Sequence, residues 1–175
     1  MKEIIINDHQ LKDFEIEKEV IRVKALIFNS KERIILAHNN NTYQFPGGHK
    51  TDEESMEECI LREIREETGL SLEMKEAPFL CIKTYDNDYF GTGKKVLNCI
   101  YYYRFFTDEL PNFMETQYDE LEMATDFNLY YINWKDLKSF LKERESSEEM
   151  DSNIAREMLH VIDEYNELFK KDNLV

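Results

Sequence analysis

Residues 46–70 read Pro46-Gly47-Gly48-His49-Lys50-Thr51-Asp52-Glu53-Glu54-Ser55-Met56-Glu57-Glu58-Cys59-Ile60-Leu61-Arg62-Glu63-Ile64-Arg65-Glu66-Glu67-Thr68-Gly69-Leu70, a glycine turn followed by an acidic helix. Ser55 and Glu58 have the spacing of a capping box, in which hydroxyl and carboxylate satisfy orphan amides at a helix start. Gly69 marks the stop, as a left-handed C-cap residue does. Met56, Cys59, Ile60, Glu63, Ile64 and Glu67 fall along one helical stripe, so the apolar face runs into acids. Glu63, Glu66 and Glu67 are spaced i, i+3 and i+4, and three carboxylates on one side of a turn repel unless something compensates them. Two readings follow: a solvated acidic face, the usual meaning of a charge run, or a site for a hard divalent cation such as Mg²⁺ or Mn²⁺, which takes oxygen ligands and shares them with phosphates.

The wider pattern bears on that choice. Gly48, Glu54, Arg62, Glu63, Ile64, Glu66, Glu67, Gly69 and Leu70 spell G-x5-E-x7-R-E-U-x-E-E-x-G-U, with U aliphatic. This resembles, at every position, the signature of the Nudix hydrolases. On ordinary residue frequencies a chance match in this length is below roughly one in a million. The motif covers a small part of the chain, so it is specific for the family and nearly silent on substrate.

The resemblance implies an α/β fold, the Nudix α/β/α sandwich around a mixed β-sheet. It implies hydrolysis of the pyrophosphate linkage of a nucleoside diphosphate joined to another group, with Mg²⁺ or Mn²⁺ as cofactor. Glu63, Glu66 and Glu67 are then the metal ligands, joined by a carbonyl of the glycine turn, assigned to Gly48. Arg62, one helical turn from Glu58 and Glu66, is read as an organiser that orients Glu66 by ion pairing. Glu54 either ligates metal or ties the loop to the helix. The general base is either Glu66 or a carboxylate of the later loop 115–122, with Glu120 its leading member. Many family members carry Arg where this chain has His38, which leaves the phosphate clamp to His38 itself or to Arg22, Lys24, Lys94 or Lys95. Tyr43, Phe45, Tyr85 and Tyr89 are candidates to stack on a base, with core packing as the alternative for each. A Nudix fold kept as a nucleotide sensor or interaction module without turnover is the competing reading, and the intact motif disfavours it.

A chain of 175 residues most economically forms one domain, 1–175, with a sizeable core. Its formal charge of −15, from 37 acidic against 22 basic residues, disfavours nucleic-acid backbones and anionic membranes as partners and leaves a small nucleotide as the expected one. Cys59, Cys81 and Cys99 are an odd number without paired spacing, which argues against disulfides or a structural zinc, and Cys59 is read as core. The amino-terminal apolar run is too short for a signal peptide and no stretch is long enough to cross a bilayer, so the cytoplasm is the expected compartment.

Along the chain, residues 1–18 read as an edge strand or arm. Residues 19–28 read as a strand and 33–38 as its partner across a turn of Asn29, Ser30 and Lys31. Residues 43–45 form a short strand entering the glycine turn. Residues 78–85 and 96–106 look like a hairpin with a long loop, and 110–126 is an acid-rich loop. Residues 127–132 look like a closing strand, and Asn133 with Asp136 announces a helix with an apolar face of Trp134, Leu137, Phe140 and Leu141. Residues 142–149 read as a polar connection. A last helix at about 151–170 carries Ile154, Met158, Val161, Ile162, Tyr165 and Leu168 at helical spacing. That face packs either on the sheet or on a second subunit, which leaves a homodimer open.

Overall fold

The strand spanning Lys18–Phe28, here β2, alternates between two apolar surfaces: Leu26 and Phe28 join one core cluster, and Val23, Ala25 and Ile27 the other. A strand buried on both faces belongs in the middle of a covered sheet. The structure, a computed structural model, describes residues 1–39, 42–118, 127–147 and 150–169, and β2 occupies that place. The other elements are β1 (Lys2–Ile6), β3 (Arg33–Asn39), β4 (Thr42–Gln44), α1 (Met56–Thr68), β5 (Leu80–Asp86), β6 (Val96–Phe106), β7 (Asn128–Asn133), α2 (Trp134–Ser146) and α3 (Ser152–Phe169).

Among the described residues, seven strands form one mixed sheet in the order β1-β5-β6-β2-β3-β4, with β7 pairing β3. β1 runs parallel to β5 and β6 parallel to β2, while β5–β6, β3–β4 and β3–β7 are antiparallel. α1 covers one face through Cys59, Ile60 and Ile64. α2 and α3 cover the other through Leu137, Leu141, Met158, Val161 and Ile162. The expected α/β/α sandwich is therefore what the chain forms, and α3 places its apolar face on its own sheet.

Two local expectations are corrected. β3 is not the full-length partner of β2: the two meet only at Phe28 and Ile34, whereas β6 pairs with β2 from Lys18↔Val96 to Phe28↔Phe106. The glycine turn takes the rest of that edge. The Val23 amide donates to the Gly48 carbonyl at 3.0 Å, Ala25 to Pro46 at 2.8 Å, and Lys50 to Ile21 at 3.0 Å, with Arg22 bridged to His49. The turn thus serves as a short antiparallel strand and satisfies backbone groups that a buried edge would leave orphaned. The second correction lengthens a helix. Residues 142–146 continue α2 to Ser146, because Lys, Glu and Arg are good helix formers and Arg144 lies over the rings of Phe140 and Tyr43, at 5.1 and 5.9 Å from their centroids.

The ends of α1 and the start of α3 follow the sequence signals. At α1 the Glu58 amide donates to Ser55 Oγ at 3.1 Å and the Ser55 amide to Glu58 Oε2 at 2.8 Å, and Gly69 closes the helix in the left-handed conformation. At α3 Asp151 Oδ1 accepts from the amides of Asn153 and Ile154 at 2.9 and 3.1 Å. Cys59, Cys81 and Cys99 are free and buried, and burial pushes the Cys59 and Cys99 thiols up to about 12. No described helix is long and apolar enough to cross a membrane.

Gly47 has φ of 136°, and a Cβ there would meet the Val23 carbonyl oxygen at 2.1 Å. Gly47→Ala is therefore expected to cost more than about 3 kcal/mol, whereas Ser55→Ala, which removes one cap hydrogen bond, costs about 1 kcal/mol. Urea denaturation of the two variants checks the order, and a Gly47→Ala protein as stable as Ser55→Ala would show that the turn does not press on β2.

Candidate active site

Because the turn runs along β2, it lies against α1 from Arg62 to Glu67, and both bring polar groups to one place. A Cβ on Gly48 would meet both carboxylate oxygens of Glu63 at 2.5 Å, so the absent side chain is what lets Glu63 lie against the turn. Arg62 gathers the acids. Its Nε and Nη2 donate to the two oxygens of Glu54 at 2.9 and 2.8 Å, a bidentate fork, while Nη1 donates to Glu63 Oε1 and to Glu66 Oε2, each at 2.8 Å. Nη2 also reaches the His49 carbonyl at 3.2 Å. One planar guanidinium thus compensates three carboxylates, a geometry that lysine cannot reproduce.

The electrostatics follow the contacts. The Arg62 hydrogen bonds hold the Glu54 carboxyl down at about 2, and the same acids, Glu54 foremost, raise Arg62. Glu63 is pushed upward, because burial outweighs the pull of Arg62. Glu67 is 4% exposed and its Oε2 accepts from the Gly47 amide at 3.1 Å. His49 is brought down to about 4 by burial and by the nearby cations Arg22, Lys24 and Lys18, so its ring is neutral at neutral pH. Arg22 on β2 donates from Nη2 to the Tyr89 hydroxyl at 3.2 Å, and its Nε is buried without a hydrogen-bond partner.

The structure brings Arg62, Glu54, Glu63, Glu66 and Gly48 together, with Glu67 on the neighbouring Gly47 amide and Arg22 beside His49. The remaining sequence candidates go elsewhere. Phe45 is 1% exposed and edge-on to Tyr102, and Tyr43 is 8% exposed among His38, Tyr130 and Phe140. Their expected role in stacking on a base is corrected to core packing, since neither ring offers an open face. His38 packs against Tyr43 and Tyr130, at centroid distances of 4.4 and 5.6 Å. Lys95 is paired with Glu15, and Lys24 is buried with Nζ on Gln44 and Gly47. Glu120 lies outside the described residues. The described part of its loop is pinned to α1, however: the Asn112 amide donates to the Thr68 carbonyl at 2.9 Å and Gln117 to that of Glu66 at 3.0 Å.

A hard divalent cation suits the chemistry of this donor set, which is all oxygen, and the missing Cβ of Gly48 leaves room for the Glu63 carboxylate beside the turn. Among the described residues no group of three His, Cys, Asp or Glu is already arranged around one point; Glu63 and Glu66 converge on the Arg62 Nη1 instead.

The family model of the NUDIX domain matches residues 18–151. The chain belongs to the Nudix family. That family comprises hydrolases of nucleoside diphosphates linked to another group. Solved Nudix folds agree: a MutT protein from Methanosarcina mazei Go1 superposes with a TM-score of 0.54 at 19% identity, covering 86% of this chain and 98% of that one. A MutT protein from Bacillus halodurans gives 0.53 at 16% identity, with 82% of each chain covered. A MutT Nudix hydrolase from Burkholderia pseudomallei gives 0.50 at 20% identity, over 68% and 86%. At such identities the likeness speaks for the fold alone.

Sequence reasoning missed Glu157, whose burial raises its carboxyl and whose oxygen accepts from the Tyr102 hydroxyl. The available signal was an acid at a core position of α3, between Ile154 and Val161 on the apolar stripe.

Replacing Arg62 by Gln should leave the acids of α1 uncompensated. The expected loss is about 1–3 kcal/mol, greatest at low ionic strength, and Mg²⁺ should raise the melting temperature of this Nudix variant more than that of the wild type. Equal melting temperatures for the two proteins without added cation would refute the compensating role.

Proposed function

We propose that the protein is a nucleotide pyrophosphohydrolase that cleaves the pyrophosphate linkage of a nucleoside diphosphate joined to another group. The observation that carries this reading is the Arg62 fork, which gathers Glu54, Glu63 and Glu66 of the intact Nudix motif against a turn that approaches Glu63 at Gly48. In this reading Glu63, Glu66, Glu67 and the Gly48 carbonyl hold Mg²⁺ or Mn²⁺. When bound, the ion neutralises charge on phosphate oxygens and makes a water acidic enough to act as nucleophile.

The chain's own residues have distinct parts. Arg62 fixes the rotamer of Glu66, so that one carboxylate oxygen is committed to the guanidinium and the other is available for the reaction. Glu66, or alternatively Glu120, accepts the proton of the attacking water. Arg22 is the guanidinium that meets phosphate in this reading, with Tyr89 steadying its Nη2. His49 adds a neutral ring rather than a charge. The net charge of −15 favours a small phosphate ester over a nucleic-acid backbone or an anionic membrane, and three free thiols suit the reducing cytoplasm.

A panel of nucleoside di- and triphosphates and nucleotide sugars, assayed for release of nucleoside monophosphate or phosphate, tests the function. Turnover should vanish in EDTA and return with Mg²⁺ or Mn²⁺; undiminished turnover in EDTA would remove the metal role of α1. Glu67→Gln should raise the Mg²⁺ concentration for half-maximal rate, whereas Glu120→Gln, if that residue is the base, should lower kcat by about 10²–10⁴-fold at saturating metal. A Glu67→Gln enzyme with wild-type rate and metal requirement would exclude Glu67 as a ligand.

A further inference from the structure

Lys24 sits in the middle of β2 and is 7% exposed. A buried ammonium is costly unless its donors and charge are met, and here they are met from three directions. Its Nζ donates to the Gly47 carbonyl at 2.8 Å and to Gln44 Oε1 at 2.9 Å. Burial pulls the Lys24 ammonium down, and the charges of Glu67 and Glu157 act against that pull. These two acids come from opposite layers: Glu67 from α1, and Glu157 from α3, which holds the other face of the sheet. Each lies on the apolar stripe of its helix.

Both backbone polar groups of Gly47 are consequently held by side chains. The amide donates to Glu67 Oε2 at 3.1 Å and the carbonyl accepts from Lys24. We propose that Lys24 is a positioning residue: by holding the Gly47 carbonyl while Glu67 holds the amide, it sets the plane of the peptide joining Gly47 to Gly48 and the orientation of the Glu67 carboxylate. This inference rests on the pyrophosphohydrolase reading for its effect on rate, though not for its effect on the turn. Lys24 acts through Gly47 and touches no substrate.

The test must separate positioning from mere neutralisation of Glu157. Lys24→Met alone leaves two buried carboxylates without their cation and is expected to be unstable. Lys24→Met combined with Glu157→Gln removes the unpaired charge from the α3 side, so it should regain most of the lost melting temperature. It should not regain the turn. Exchange of the Gly47 amide, followed by NMR, should stay at least about tenfold faster than in the wild type, and kcat about 10–100-fold lower with substrate KM within about twofold. Lys24→Gln in the same Glu157→Gln background keeps an N–H donor and should recover part of both, and it replaces the methionine variant should that one fail to fold. A folded double variant with wild-type Gly47 exchange and wild-type kcat would overturn the proposal. Amide exchange needs no substrate: if the wild type hydrolyses nothing in the panel, the functional reading fails while the Gly47 readout still decides the role of Lys24.

Discussion

The absence of one carbon atom, the Cβ of Gly47, is the constraint on which the rest of the site depends. With it missing, the turn lies flat on β2, the amides of Val23 and Ala25 find carbonyl partners, and residues 46–50 become an extra strand at an edge that β3 leaves after a single pair. The same docking fixes where α1 begins, and therefore where its acids stand relative to the middle of the sheet. Backbone geometry comes first here, and the constellation of charges is its consequence.

Two cations then make that constellation tolerable. Arg62, partly open to solvent, answers the outer acids Glu54, Glu63 and Glu66 with a fork of short hydrogen bonds. Lys24, inside the sheet, answers Glu67 and Glu157. The turn lies between them, touched by Arg62 at His49 and by Lys24 at Gly47. A strongly acidic protein thus places its scarce positive charge where carboxylates converge, and does so with the residue suited to each setting: a planar fork at the rim and a compact ammonium in the interior.

How far this was legible in the sequence differs by element. The start, stop and buried stripe of α1 could be read directly, because capping and helical periodicity are local. That α3 buries one face could be read from its stripe, but not whether that face meets the sheet or a second subunit. Strand pairing could not: β2 and β6 are far apart in the chain and parallel, and nothing near Phe28 announces that a glycine turn, rather than β3, will complete the edge. The length of α2 was obscured because its last turns are polar, although Arg144 is anchored on two rings. Within the site, the motif named Arg62, Glu63, Glu66 and Glu67, yet the partners of each acid depended on rotamers that spacing leaves open. Tyr43 and Phe45 were plausible stacking residues only until their burial was known, and Glu157 was hidden by treating a helix stripe as uniformly apolar.

The three cysteines stand in different parts of this architecture: Cys59 in α1, within 3.6 Å of an Arg62 nitrogen, and Cys81 and Cys99 on neighbouring strands of the sheet. All are buried and reduced, with Cys59 and Cys99 held far from ionisation at neutral pH. The protein therefore carries its own set of clocks. A thiol-modifying reagent can reach each sulfur only when the layer around it opens, so the order in which the three become labelled records whether α1 detaches before the sheet comes apart.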